Sequence, residues 1–197
     1  EAAARDERII AFLDSWAVER ADEYATLDED WIDVAVATAD GEVAKYRWTV
    51  EGGAARVDAL DPMPWYSNAK AATGGWLLSL VQQGVVRLDD PVSRYLPEVP
   101  HGDEITLEQL ARHLSGIPSE ADSPDSEELD VGADVRRWMT TGDLVTPPGS
   151  TFHYSRVGYS LLAWALERAS GVSWQDAMMA MAAEAGADVR IDDPIAR

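Results

Sequence analysis

The sequence predicts an α+β fold, with strands gathered near the N-terminus and helices after them. Three observations predict it. Residues 31–38 and 42–50 read as two strands around the tight turn Ala39-Asp40-Gly41. Residues 3–25 and several segments beyond residue 66 repeat apolar side chains at helical spacing. A hydrophobic content of 46% is enough for a core. At 197 residues the chain fits one domain, or one domain and part of another. The expected division is 1–65, a helix and hairpin, and 66–197, mostly helical.

The elements follow in order. Ile9, Phe12, Leu13 and Trp16 mark one face of the first helix. Residues 51–65, with Gly52-Gly53, Pro62 and Pro64, read as loop. A helix over 67–83 stops near Gly84, and Asp89-Asp90-Pro91 turns the chain into a short helix reaching Tyr95. Thr106 and Gln109 have the spacing of a capping box at the start of another helix. Residues 115–130, rich in Ser, Asp, Glu and Pro, read as a solvated polar loop. Helices are expected near 131–140, 156–169 and 173–185. A lone two-stranded hairpin is marginal in water and leaves a sheet edge unpaired. The sheet is therefore expected to be incomplete, with at least one neighbouring strand supplied from outside this chain.

Composition removes several function classes. Thirty-six acids against sixteen bases give a net charge of -20, which opposes nucleic acid binding. The absence of cysteine removes disulfides, thiolate metal sites and cysteine nucleophiles. No apolar run approaches the roughly 18 residues of a membrane span, so a soluble protein is expected. The chain opens on Glu-Ala-Ala-Ala-Arg without a basic-then-apolar leader, which leaves a cytoplasmic protein and one exported after leader removal both open. Lys45 and Lys70 are the only lysines. That shortage fits either salt adaptation or a GC-rich genome.

Few residues are candidates for chemistry. Ser67 and Lys70 stand three apart at the start of a helix, so hydroxyl and amine can share a face. A serine needs a base to become a nucleophile, and a buried lysine can be one. The same pair also fits an N-terminal serine with a surface lysine. Tyr154 lies in a loop entering the next helix; it can be a general base near a lysine or an anchor for the loop. His113 can be catalytic, or can cap backbone groups where its helix ends at Gly116. His101 and His153 are isolated, and no cluster has metal-ligand spacing, so neither metal nor cofactor is expected. Asp89-Asp90 and Asp192-Asp193 read as turn or solvated-surface pairs. The tryptophans, Trp76 and Trp164 among them, read as core.

Five segments in this order, Ser67-Asn68-Ala69-Lys70, 84–97, 105–118, 148–159 and 171–174, carry a resemblance. Together the chain resembles the serine beta-lactamase-like superfamily: class C beta-lactamases, D,D-peptidases and related esterases. The resemblance covers roughly residues 28–180. It implies an antiparallel sheet flanked by helices plus a helical domain, with Ser67 as the acyl-accepting nucleophile and Lys70 as its proton partner. Tyr154 matches the tyrosine of the Tyr-x-Asn motif and would be the base, or the acid for the leaving group. The Ser67 N–H would form half of an oxyanion hole. The sequence departs from the pattern at Arg156, which replaces the substrate-binding Asn, and at Leu114, in a His-Leu-Ser-Gly segment. No Lys-Thr-Gly or His-x-Gly tripeptide is present, and neither is the Pro-Leu-Gly-Met-like segment.

The function this implies is a serine hydrolase or acyltransferase working through an acyl-enzyme on an ester, amide or thioester. A small-molecule or peptide-like acyl compound would be its substrate, and a second polypeptide would supply the missing strands. The alternative is an inactive scaffold of the same fold that binds a ligand or partner.

Overall fold

Helix α1 (Ala2–Glu19) and strands β1 (Trp31–Ala37), β2 (Val43–Thr49) and β3 (Gly53–Val57) build the first of two units, Glu1–Pro64. The second unit is Trp65–Arg197. This computed structural model describes residues 2–19, 31–37, 41, 43–58, 65–119, 131–187, 189 and 191. The expected continuation of α1 to residue 25, most of the turn before Gly41, most of the 115–130 loop and Asp192-Asp193 lie outside the described residues.

The sheet is antiparallel in the order β1-β2-β3. Trp31 pairs with Thr49 and Ala37 with Val43, while β2 pairs on its other side, Lys45 with Val57 and Thr49 with Gly53. The third strand corrects the expectation of loop over 51–65, and it gives the hairpin a neighbour on its β2 side from within the chain. Gly-Ala-Ala-Arg-Val has neither aromatic residues nor a run of β-branched ones, so it lacks an intrinsic strand signal. Its context supplies the missing preference. Gly53 adopts φ +65 to close the hairpin after Gly52, the role for which glycine is suited. The Asp14 carboxylate on α1 accepts the Ala54 N–H at 2.7 Å. With three strands and a covering helix, this unit meets the usual minimum for a stable small sheet, while among the described residues β1 and β3 each keep one edge without a strand partner, so the sheet is partial as expected.

One sheet face packs on α1. Leu13, Ala44 and Tyr46 are buried there, flanked by Ile9, Ile10, Val34, Val36 and Ala54. Polar bonds reinforce the packing: Asp6 accepts from Tyr46 Oη at 2.7 Å and from Arg56 at 2.6 Å. These two hydrogen bonds, Tyr46's first, hold the Asp6 carboxyl below its usual value. Burial and the same carboxylate raise the Tyr46 phenol. On the cross-strand pair Asp33–Arg47, two bonds of 2.7 and 2.8 Å form a planar fork.

The second unit is helical: α2 (Ala69–Gln82), α3 (Leu107–Ala111), α4 (Val131–Thr141), α5 (Arg156–Ser170) and α6 (Trp174–Glu184), with single turns of 3₁₀ helix at Tyr66–Asn68 and Val92–Arg94. Its core gathers Leu77, Leu110, Ile117, Trp138, Leu161 and Leu162. The sequence's stop and start signals are satisfied here. Thr106 and Gln109 form the full capping box on α3. Ser155 and Ser173 cap α5 and α6, and Gly171 ends α5 in the left-handed region.

Two readings are corrected. Asp90 is not a solvated carboxylate: it is 5% exposed and accepts from the Arg87 N–H, Arg94 and Tyr95 at 2.6–2.7 Å. Burial raises its pKa, but these bonds and the charge of Arg94 outweigh burial and bring it below the usual value. Burial and the Asp90 carboxylate push Tyr95 up to about 12. The tryptophans divide: Trp76 and Trp138 are buried, Trp164 only partly, and Trp65 is 48% exposed.

Candidate active site

The second unit assembles a serine, a lysine and a tyrosine at its surface. Ser67 lies in the 3₁₀ turn that feeds α2, and Lys70 in the first turn of α2. The preceding residue, Tyr66, takes φ +42, an unusual backbone for a non-glycine residue. The Lys70 ammonium nitrogen donates to Ser67 Oγ at 3.1 Å, the contact expected for side chains three apart at a helix start.

Tyr154 arrives from 87 positions away. Its Oη lies 2.7 Å from Ser67 Oγ, and Lys70 Nζ sits 5.2 Å from the tyrosine ring centroid. Burial raises the Tyr154 phenol. Hydrogen bonding to Lys70 and Ser67, with the charges of Lys70 and Arg156, outweighs burial and brings it below its ordinary value. A phenol so biased gives up its proton more readily than a free tyrosine, which suits a group that exchanges protons with a neighbour. Ser67 is exposed and Tyr154 is 39% exposed, so a substrate can reach both.

The loop carrying Tyr154 is held tightly. Gly149 N–H donates to Leu114 O at 2.7 Å, and Val145 N–H to Gly116 O at 2.9 Å. Gly116 has φ +76, and a Cβ there would fall 1.9 Å from Thr146 O. That close backbone approach explains the glycine of the His-Leu-Ser-Gly segment. Ser155 follows Tyr154 and serves two partners: its hydroxyl accepts the Gly158 N–H at 2.8 Å and donates to Pro118 O at 2.9 Å.

His113 does not cap its own helix, as the sequence suggested. Helix α3 ends at Ala111, and the imidazole Nδ1 accepts the Ser155 N–H at 3.1 Å. The ring lies against Tyr154 and Tyr159 at centroid distances of 4.6 and 4.9 Å. Arg156 begins α5 and places its guanidinium 3.6 Å from the Asp134 carboxylate, with its side chain 21% exposed. It therefore does not point into bulk solvent, and its charge is felt by Tyr154.

Sequence reasoning did not single out Tyr159 or Asp134. Tyr159 lies 5.8 Å from Lys70 Nζ by its ring centroid and donates its hydroxyl to Ala111 O at 2.9 Å. Burial, then the neighbouring Tyr154, raises its pKa. Its signal was present: it is on the first turns of the helix that Tyr154 leads into. Asp134 had none, because only the fold brings α4 to the start of α5. Among the described residues, no three His, Asp or Glu side chains are grouped to hold a metal ion.

A serine hydroxyl within hydrogen-bond reach of both an amine and a phenol, on a helical unit joined in sequence to a partial antiparallel sheet, defines the class as beta-lactamase-like. A family model described as Beta-lactamase matches residues 32–185, and the chain belongs to that family. Over 114 residues it is 39% identical to D-alanyl-D-alanine-carboxypeptidase/endopeptidase AmpH of Escherichia coli K12, a match covering 53% of this chain and 30% of that protein. Over 115 residues it is 35% identical to Protein flp of Staphylococcus aureus strain COL, covering 55% of this chain and 23% of that one. The chain thus spans less than a third of the length of these curated relatives. Among solved structures, a D-amino acid amidase from Ochrobactrum anthropi superposes with a TM-score of 0.65 at 22% identity, covering 90% of this chain and 49% of that one. SurE superposes with a TM-score of 0.69 at 22% identity, covering 99% and 42%. These two likenesses concern the fold. Among the described residues no helix is long and apolar enough to cross a membrane.

Proposed function

We propose that this chain carries the nucleophile of a serine hydrolase or acyltransferase that works through an acyl-enzyme. The observation that supports the reading most is the triangle of Ser67 Oγ, Lys70 Nζ and Tyr154 Oη, with contacts of 3.1 and 2.7 Å at the serine. Tyr154, as tyrosinate beside the Lys70 charge, takes the hydroxyl proton while Ser67 Oγ bonds to the substrate carbonyl carbon. The same phenol returns that proton to the leaving amine, alcohol or thiol as its bond to the carbonyl breaks. Water, or another acceptor, then releases the acyl group by the reverse sequence. The Ser67 N–H, in the 3₁₀ turn that leads into α2, would be one donor for the oxyanion.

The other oxyanion and carboxylate-binding groups would come from residues outside these 197, on a strand bearing Lys-Thr-Gly or His-x-Gly. A second polypeptide is our proposal for their source. Arg156 would bind an anionic part of the substrate, steadied by Asp134. The first substrate to try is a D-alanyl peptide, by likeness to AmpH, followed by simple esters and thioesters. The second reading, an inactive scaffold, is favoured by one observation: Arg156, in the position of the family's asparagine, is engaged by Asp134.

Intact-mass analysis of the native protein treated with a fluorophosphonate distinguishes the readings. The expected result is one adduct on the peptide holding Ser67, absent in Ser67→Ala. Lys70→Ala should slow it by about 10²-fold or more, the scale of losing a proton-transfer group. A wild-type protein that gives no adduct, or labelling that persists in Ser67→Ala, excludes the nucleophile.

A further inference from the structure

His113 takes no part in the bond making just described, yet its contacts converge on Tyr154. Its carbonyl oxygen accepts the His153 N–H at 2.8 Å, and its Nδ1 accepts the Ser155 N–H at 3.1 Å. The N–H groups of both residues that flank Tyr154 are therefore bound to a single residue. The imidazole plane lies over the Tyr154 ring at 4.6 Å with a tilt of 34°. Phe152 closes the edge of the imidazole at 5.7 Å. The backbone of His113 holds φ +57, a left-handed conformation that costs free energy in most residues and is found where surrounding structure enforces it.

We propose that His113 is a positioning residue that clamps Tyr154 onto Ser67, and that the clamp holds only while Nδ1 is unprotonated. The proposal rests on the reading of Tyr154 as the proton acceptor of Ser67. An Nδ1 that accepts from an N–H must carry a lone pair, so the ring proton resides on Nε2. Adding a proton at Nδ1 turns an acceptor into a donor facing another donor, and the Ser155 bond is lost. Among the described residues, the charged and titratable groups facing the ring are Lys70 from α2, Tyr154 from its loop and Tyr159 from α5. Burial first, and the Lys70 charge second, hold the imidazole below its usual 6.5. The clamp is thus closed at neutral pH and opens on acidification.

The test has two parts on the native protein. In NMR, the Ser155 amide should shift together with the His113 imidazole as pH falls, with one midpoint below 6.5. A Ser155 amide that ignores the histidine's titration overturns the proposal without any variant. In the second part, acylation by a p-nitrophenyl ester is timed. His113→Phe keeps a ring but loses the acceptor, and should slow acylation by about tenfold or more, since displacements of about 1 Å can cost 10²-fold. His113→Asn keeps an oxygen near the Nδ1 position and tolerates the left-handed backbone, so it should recover most of the rate. In Tyr154→Phe, adding His113→Phe should change nothing further; losses that multiply would place the histidine's action elsewhere and overturn the proposal. A Tyr154→Phe single variant with an unchanged rate would instead sink the proton-acceptor reading, while the Ser155 titration still decides the clamp.

Discussion

The two units hold themselves together in different ways. In the first, the buried apolar cluster consists of Leu13, Ala44 and Tyr46, and much of the tie between helix and sheet is polar: Asp6 with Tyr46 and Arg56, Asp14 with the Ala54 N–H. In the second, Trp138, Leu77, Leu110, Ile117, Leu161 and Leu162 are all under 2% exposed within a single core. Every candidate for the chemistry stands on the second unit. A site whose contacts must hold to a few tenths of an ångström benefits from a support that resists deformation, and dense apolar packing supplies it. The polar ties of the first unit are weaker in water and respond to pH and salt.

The largest test of this contrast is removal of core volume. Trp138→Ala should cost about 3–5 kcal/mol, through lost burial and the cavity left behind, and strip hydrogen-exchange protection from α4 and α5. A loss below about 1 kcal/mol would show that the second core is not the stronger support. Gly116→Ala comes next, because a Cβ 1.9 Å from Thr146 O forces the backbone to move. Loss of Ser67 labelling with most helix protection intact is expected, since the Tyr154 loop lies directly beyond that contact. Tyr46→Phe is smaller, about 1 kcal/mol for one hydrogen bond, read from β2 amide exchange.

Acidification sharpens the comparison by order of events. The His113 pKa is lowered in the folded state, so its contribution is complete above 6.5 and is lost as pH falls through the folded value. Asp6 and Asp90 are likewise lowered, from 3.8, so their contributions persist until pH falls below the ordinary carboxylate range. The Ser155 amide should therefore lose protection before β2 or the Asp90 turn does; the reverse order would contradict this assignment. Salt should give the smallest effect. With a net charge of -20, screening by molar KCl should raise the melting temperature relative to dilute buffer. A flat response would attribute the lysine shortage to genome composition.

Much of this molecule could be read from its order of residues. Helix ends marked by Thr106, Gly171 and Ser173, and the neighbourhood of Ser67 and Lys70, depend on atoms within one turn of chain. Local geometry decides such contacts, so local sequence shows them. Strand β3 was not legible, because Gly53-Ala54-Ala55-Arg56 has no strand preference of its own and forms against the β2 edge and Asp14. Nor was the role of His113, whose acceptor faces an amide 42 residues away, or the pairing of Arg156 with Asp134. The sequence by itself determined the family motifs, the helical punctuation and the identity of the serine and lysine. Tertiary structure alone decided that Tyr154 meets Ser67 across 87 positions, that His113 binds the N–H groups of both residues flanking Tyr154, and that a weak segment becomes a strand. The physical reason is one of range: capping and side-chain pairing act over three or four residues, whereas loop closure and burial join segments whose separation no local pattern encodes.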